Sequence, residues 1–186
     1  EAPEALRMAN KYSFPPTFVL VSSCWKAART LARRKQPVVL TGALEYWETD
    51  PETQEETRRC PPAELAKAGI EFALDVDAGG RRASTEPTRY PWWQMATCVR
   101  HGVSRDVALA AFTTVPAKLL GVQDDLGTIE VGKLANLQIV TGDPLAATSW
   151  VDHVVLDGEI VYDRKLDPKL EHLFGKKPAD SKAGSR

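Results

Sequence analysis

The 186-residue chain is poor in the residues that make covalent or metal staples, with three cysteines (Cys24, Cys60, Cys98) and three histidines (His101, His153, His172). The cysteines are odd in number, widely spaced and without a Cys-x-x-Cys pair. That argues against a disulfide framework or a structural zinc site and favours buried free thiols in a reducing compartment. Neither charge sign prevails: 24 Lys plus Arg stand against 25 Asp plus Glu, a net charge of -1, so there is no electrostatic case for nucleic acid or an anionic membrane as partner. No apolar run approaches the roughly 20 residues of a membrane span. Glu1-Ala-Pro-Glu4 has neither the basic nor the apolar character of a signal peptide. A cytoplasmic location is therefore expected, with a removed leader left open because the chain does not begin with Met.

What is present reads as alternating strands and helices. The hydrophobic fraction of 43% is ordinary for a globular chain. Glu4 to Asn10 has the look of a helix tail, and Thr17-Phe-Val-Leu-Val21 is a short apolar run of the kind a buried parallel strand needs. Ser22 and Ser23 are candidate N-caps for a helix over Trp25 to Arg34. Its basic residues, Lys26, Arg29, Arg33 and Arg34, read as a solvated outer face. Pro37-Val-Val-Leu40 is a second strand, Thr41 to Arg59 a charged, aromatic loop, Pro61 to Ala68 a helix stopped by Gly69, and Ile70 to Val76 a third strand. Strand, helix, strand, helix, strand is the pattern of a parallel α/β sheet.

The second half is punctuated by turn residues. A helix over Gln94 to His101 is followed by apolar residues at helical spacing from Ala108 to Thr113, and a further helix restarts at Pro116 and stops at Gly121. Gly127 to Val140 reads as two short strands split by a glycine turn, Gly142-Asp-Pro144 as another turn, and Val151 to Tyr162 as a hairpin closed at Asp157-Gly158. From Arg164 onward apolar periodicity fades. Leu170 to Phe174 reads as a short docking helix and the last ten or so residues as disordered.

Four ordered motifs in this half resemble the C-terminal signature of the amidohydrolase superfamily, close to its imidazolonepropionase-like and prolidase-like branches. They are T-x-x-P-A-x-x-L-G (Thr113 to Gly121), G-x-I-x-x-G-K-x-A-N-L (Gly127 to Leu137), G-D-P-L (Gly142 to Leu145) and V-x-x-V-x-x-D-G-x-x-V (Val151 to Val161). The resemblance implies a (β/α)8 barrel, which takes about 250 residues, with a His-x-His pair on its first strand. This sequence contains no such pair. The expected fold is therefore α/β, with residues 1–121 forming the last three or so strands and closing helices of a TIM-type barrel. Residues 122–163 would form half of a small β-sandwich, and 164–186 a tail.

The resemblance also places one catalytic group. Ala73-Leu-Asp-Val-Asp77-Ala stands where the family shows A-L-G-T-D-S, and the match implies that Asp77 binds a divalent metal, zinc before others, and takes the proton of the attacking water. Read without it, Asp77 is a loop carboxylate capping the turn before Gly79-Gly80. Asp75 departs from the pattern. So does the end of the first strand, where metal-dependent members carry a histidine and this chain reads Val21-Ser22-Ser23. Trp92, Trp93 and Arg89 are candidate substrate contacts, set against a packing role for the tryptophans and a solvated one for the arginine.

Two functions follow. In the first, the chain is the C-terminal part or subunit of a metal-dependent amidohydrolase, hydrolysing a C–N bond when a complementary chain or N-terminal segment completes barrel and sandwich. It is not expected to be active alone. In the second, it is a non-catalytic assembly subunit that has lost metal ligands.

Overall fold

A computed structural model of the chain describes residues 2–14, 16–33, 35, 37–75, 91–146 and 148–174. Three short strands, β1 (Phe18–Leu20), β2 (Val38–Leu40) and β5 (Phe72–Leu74), form one sheet in the order β1-β2-β5. Both pairings are parallel. Phe18, Val38 and Phe72 lie abreast in one row, and Leu20, Leu40 and Leu74 in another. Val38 and Phe72 are among the most completely buried side chains of the molecule. Removing each from water is worth about 1.5–3 kcal/mol, which is why the apolar runs settle here. β1 is less covered than its sequence suggests, with Val19 exposed. β5 is buried throughout, and beyond it the Ala111 carbonyl accepts from the Leu74 N–H at 3.1 Å.

Helices precede and follow these strands along the chain. α1 (Ala2–Tyr12) buries Leu6 and Ala9, one turn apart. The segment after β1 begins as a 3-10 turn over Ser22–Ala27 and becomes α-helix α2 only over Ala28–Arg33, burying Leu31. The expected serine cap is not made. Val21 holds the N-cap position with no side-chain bond, and both serines fall inside the first turn. α3 (Pro61–Lys67) starts with Pro61 and Pro62, where the missing N–H costs nothing, and it packs against the 3-10 turn.

The stretch 41–59, expected as a loop, contains an antiparallel hairpin of β3 (Tyr46–Thr49) and β4 (Glu56–Arg59). Asp50 organises its turn, its carboxylate accepting from the backbone N–H of Glu52 and Thr53. α4 runs over Pro91–Arg100, starting three residues before the expected Gln94. α5 (Arg105–Ala110) is capped by Ser104, whose Oγ accepts from the Val107 N–H. α6 (Thr114–Leu120) ends at Gly121 as the sequence predicts.

By backbone proximity the chain separates into two units, 1–131 and 132–186. The second is an antiparallel sheet in the order β6-β7-β8, from β6 (Leu137–Val140), β7 (Val151–Leu156) and β8 (Glu159–Asp163). The predicted hairpin is there. Asp157 and Gly158 both have positive φ, 49° and 85°, the backbone of the two-residue turn that matches strand twist. The strand expected just after Gly127 is not: among the described residues, Ile129 and Val131 pair with no strand and are exposed. Arg164 stacks on the rings of Trp150 and Phe174 at 4.9 and 5.2 Å, tying the short closing helix α7 (Glu171–Phe174) to its unit. The terminal segment expected to be disordered lies outside the described residues.

Candidate active site

The three parallel strands finish together. The Thr41 N–H donates to the Leu20 carbonyl and the Asp75 N–H to the Leu40 carbonyl, each at 2.9 Å. The carboxyl edge of the sheet is thus made by Val21, Thr41 and Asp75, and in parallel α/β folds this is the edge where ligands bind. No imidazole stands there among the described residues: β1 is followed by exposed Val21. Asp75 directly follows β5 and is half-buried.

Of the four site residues picked from sequence, Asp77 and Arg89 lie outside the described residues. Trp92 and Trp93 sit in the first turn of α4, the former half-buried and the latter 58% exposed. Adjacent positions on a helix point about 100° apart, so the two rings do not make one continuous wall.

The structure brings together a different set of residues. Trp25 and Lys26 fasten the hairpin, Lys26 while remaining 61% exposed as its solvated face predicts. The Trp25 indole N–H donates to the Tyr46 hydroxyl at 2.8 Å, the Arg59 guanidinium stacks on the Trp25 ring at 4.5 Å, and Glu48 pairs with both Lys26 and Arg59 at 2.9 Å. Beside this cluster, Glu45 Oε2 accepts from Arg58, from Arg100 at 2.8 Å and from His101 Nε2 at 2.7 Å. Partial burial pushes the Glu45 carboxyl up, but the hydrogen bonds from His101, Arg100 and Arg58 outweigh it and hold the group below its ordinary value. The ionised carboxylate is an acceptor only, so His101 Nε2 must carry the proton.

The described residues do not assemble a metal centre. No three His, Cys, Asp or Glu among them are grouped to hold an ion. His101 is engaged by Glu45, and His153 lies between Asp152 at 3.3 Å and Asp163 at 3.8 Å on the β6–β8 sheet. The three cysteines are free and buried. Burial pushes the Cys24 thiol up to about 11 and, with Cys60 alongside, Cys98 up to about 12. Such thiols stay protonated and are poor ligands.

Sequence reasoning missed Glu45, Tyr46, Glu48, Arg58 and Arg59. The available signal was the order of charges. Glu45-Tyr-Trp-Glu48 and Arg58-Arg59 flank an Asp50-Pro51 turn, and Glu48 reaches Arg59 on the diagonal, two places along from its direct partner Thr57.

Comparison with known proteins agrees with this geometry. The model of the Amidohydrolase family matches residues 14–161. The imidazolonepropionase of Maricaulis maris (strain MCS10) is 30% identical over 112 residues, 57% of this chain and 26% of that protein. The imidazolonepropionase of Aromatoleum aromaticum (strain DSM 19018 / LMG 30748 / EbN1) is 31% identical over 121 residues, 64% of this chain and 26% of that protein. A solved amidohydrolase from Thermotoga maritima MSB8 superposes with a TM-score of 0.69 at 31% identity, covering 86% of this chain and 40% of that one. A molinate hydrolase shares the fold, with a TM-score of 0.58 at 19% identity, over 88% of this chain and 41% of the other. The chain thus spans about a quarter of the length of these imidazolonepropionases. The match over 14–161 reaches from the first strand of the parallel sheet to the last strand of the second unit, and on that breadth the chain belongs to the amidohydrolase family, a family of TIM-barrel proteins.

Proposed function

We propose that this chain is the C-terminal part of a metal-dependent amidohydrolase that hydrolyses a C–N bond in an amide or cyclic amide. In this reading residues 1–121 contribute the last three strands and closing helices of the barrel, and 122–163 contribute half of a small β-sandwich. A complementary chain or N-terminal segment provides the rest. The carrying observation is the parallel sheet: three strands adjacent in the order they occur along the chain, ending flush at one carboxyl edge, inside the segment that matches the family. The second unit supports the reading from another side. None of its described residues is buried, and a three-stranded sheet needs a covered apolar face to be stable.

Asp77 is the residue assigned to the chemistry. Three residues beyond the end of β5 in sequence, it would accept a proton from the attacking water as the tetrahedral intermediate forms and return it to the leaving nitrogen. Trp92, Trp93 and Arg89 would contact substrate. A divalent metal, zinc first, is what the family implies. The described residues do not build its site, so the complementary segment would provide most ligands and the step assigned to this chain is the proton transfer. Free buried thiols suit a reducing cytoplasm, and no helix among the described residues is long and apolar enough to cross a membrane.

The test is to isolate the protein with whatever copurifies, sequence the companion, and assay C–N hydrolysis for wild type and Asp77→Asn. A companion or segment bearing a His-x-His pair, with turnover lowered about 10²–10⁴-fold by the nearly isosteric amide, is the expected result. Unchanged turnover in Asp77→Asn removes this residue as the base. An intact assembly that hydrolyses no C–N bond establishes the alternative, a non-catalytic assembly subunit, which the missing imidazole after β1 already favours.

A further inference from the structure

The loop that leaves the carboxyl edge of the sheet after β2 is clamped by a carboxylate that the proposed chemistry does not use. Beyond Leu40 the chain crosses residues 41–45 and enters the β3–β4 hairpin before returning to α3. These five residues form no helix or strand. Their fixed course comes from both ends. At one, the Thr41 N–H is held by the Leu20 carbonyl. At the other, Glu45 is held by Arg58 of β4 and by Arg100 and His101 at the end of α4, more than fifty residues further along. The hairpin has its own second anchor in the Trp25, Tyr46, Lys26, Glu48 and Arg59 cluster.

We infer that Glu45 is a positioning residue, which fixes the 41–45 loop at the carboxyl edge of the parallel sheet by joining the guanidinium groups of Arg58 and Arg100 and the ring N–H of His101 at one oxygen. The inference rests on the hydrolase reading for its effect on turnover. An edge loop that wanders by an ångström costs a hydrolase about 10²-fold in rate, so a site built on this edge needs the loop held before substrate arrives. The charge arrangement suits a clamp. Glu45 is 34% exposed and His101 18%, screened enough from water for the contacts to hold. Without the carboxylate, Arg58, Arg100 and His101 would face one another as like charges or competing donors. Glutamine does not repair this, because its oxygen is a weaker acceptor and its NH2 adds a fourth donor to the group.

The test compares wild type, Glu45→Gln, Arg100→Gln and, as a control, Glu71→Gln, which removes an exposed pair with Lys118 on another part of the surface. Hydrogen exchange of peptides covering 41–59 is read together with kcat and KM for C–N hydrolysis in the isolated protein and its companion. Glu45→Gln is expected to speed exchange in 41–59 about tenfold while leaving peptides of α1 and β7 unchanged. It should also lower kcat/KM about ten- to a hundredfold. Arg100→Gln should do the same to a smaller degree and reads the clamp if Glu45→Gln fails to fold. Glu71→Gln should change neither. Unchanged exchange in 41–59 overturns the inference, and so does faster exchange with unaltered kcat/KM, which would make the clamp merely structural. A wild-type protein without hydrolase activity refutes the functional reading instead, and exchange in Glu45→Gln then decides the clamp by itself.

Discussion

Replacing Gly127 with alanine separates two costs that glycine motifs usually confound. Gly127 has φ +99°, and a Cβ built on it would lie 2.8 Å from the Ala117 Cβ, 3.2 Å from the Thr113 carbonyl oxygen and 3.3 Å from the Thr114 Cα. The neighbours are the backbone and a methyl group of α6 and its start, none of which can swing aside. The backbone cost of an L-residue in the left-handed region is about 1–2 kcal/mol, and forcing a methyl into a filled site adds about 1–3 kcal/mol, a total of about 2–5 kcal/mol. Gly121 is the control in the same unit. Its φ is +73° and its Cβ would meet nothing within 4 Å, so Gly121→Ala should lose only the backbone part, about 1–2 kcal/mol. Urea denaturation at constant slope reads the difference, and in heat each kcal/mol corresponds to about 2–4 °C for a protein of this size. If the two variants lose the same stability within about 0.5 kcal/mol, the close approach of Gly127 to α6 is not what makes this glycine necessary.

Three further outcomes are expected. The Glu45 carboxyl is held below its ordinary value, so its contribution is present above the unfolded value and lost as pH falls through the folded one. As pH falls through and below the ordinary carboxylate range wild type should lose stability that Glu45→Gln lacks at every pH, and parallel acid-denaturation curves would refute the assignment. The thiols of Cys24, Cys60 and Cys98 are all buried and raised, so none should react with iodoacetamide at pH 8 until denaturant is added. Rapid labelling of the native protein would contradict their burial. Gly158→Val should disturb the β7–β8 turn, because a β-branched residue is disfavoured at φ 85°, lowering yield or partner binding while turnover per intact complex is retained. A mutant that assembled normally but lost turnover would place this turn at the active site.

How much of this was legible in sequence depends on how local each cause is. The parallel strands were, because Phe18, Val38, Leu40, Phe72 and Leu74 owe their burial to short apolar runs bounded by turn residues. So were Gly121 as a helix stop and Asp157-Gly158 as a hairpin turn, whose positive φ values are demands that few residue types meet. The 22–34 segment was half legible. Its helical spacing is real, but the serines promised a cap and the chain begins instead with a 3-10 turn from Val21, which places Trp25 against Tyr46. That contact is set by the hairpin, far away in sequence.

Residues 128–131 and 46–59 show the same rule from opposite sides. Thr128-Ile-Glu-Val131 alternates as a strand should, yet it joins none of the sheets of the described residues and leaves Ile129 and Val131 in solvent, because alternation selects a face only where another strand offers its edge. Glu56-Thr-Arg-Arg59 has no apolar alternation at all and is nevertheless a strand, since Tyr46-Trp-Glu-Thr49 presents both a backbone ladder and, at Glu48, a partner for Arg59. The candidate site follows this second pattern. Asp77 could be named from its place after an apolar strand, by likeness to a motif, whereas Glu45 acquires its role only when β4 and the end of α4 arrive beside it. A residue defined by three partners from two distant elements carries no local mark. Its recognition requires the fold, and its importance is measured by what happens to residues 41–45 when the carboxylate is neutralised.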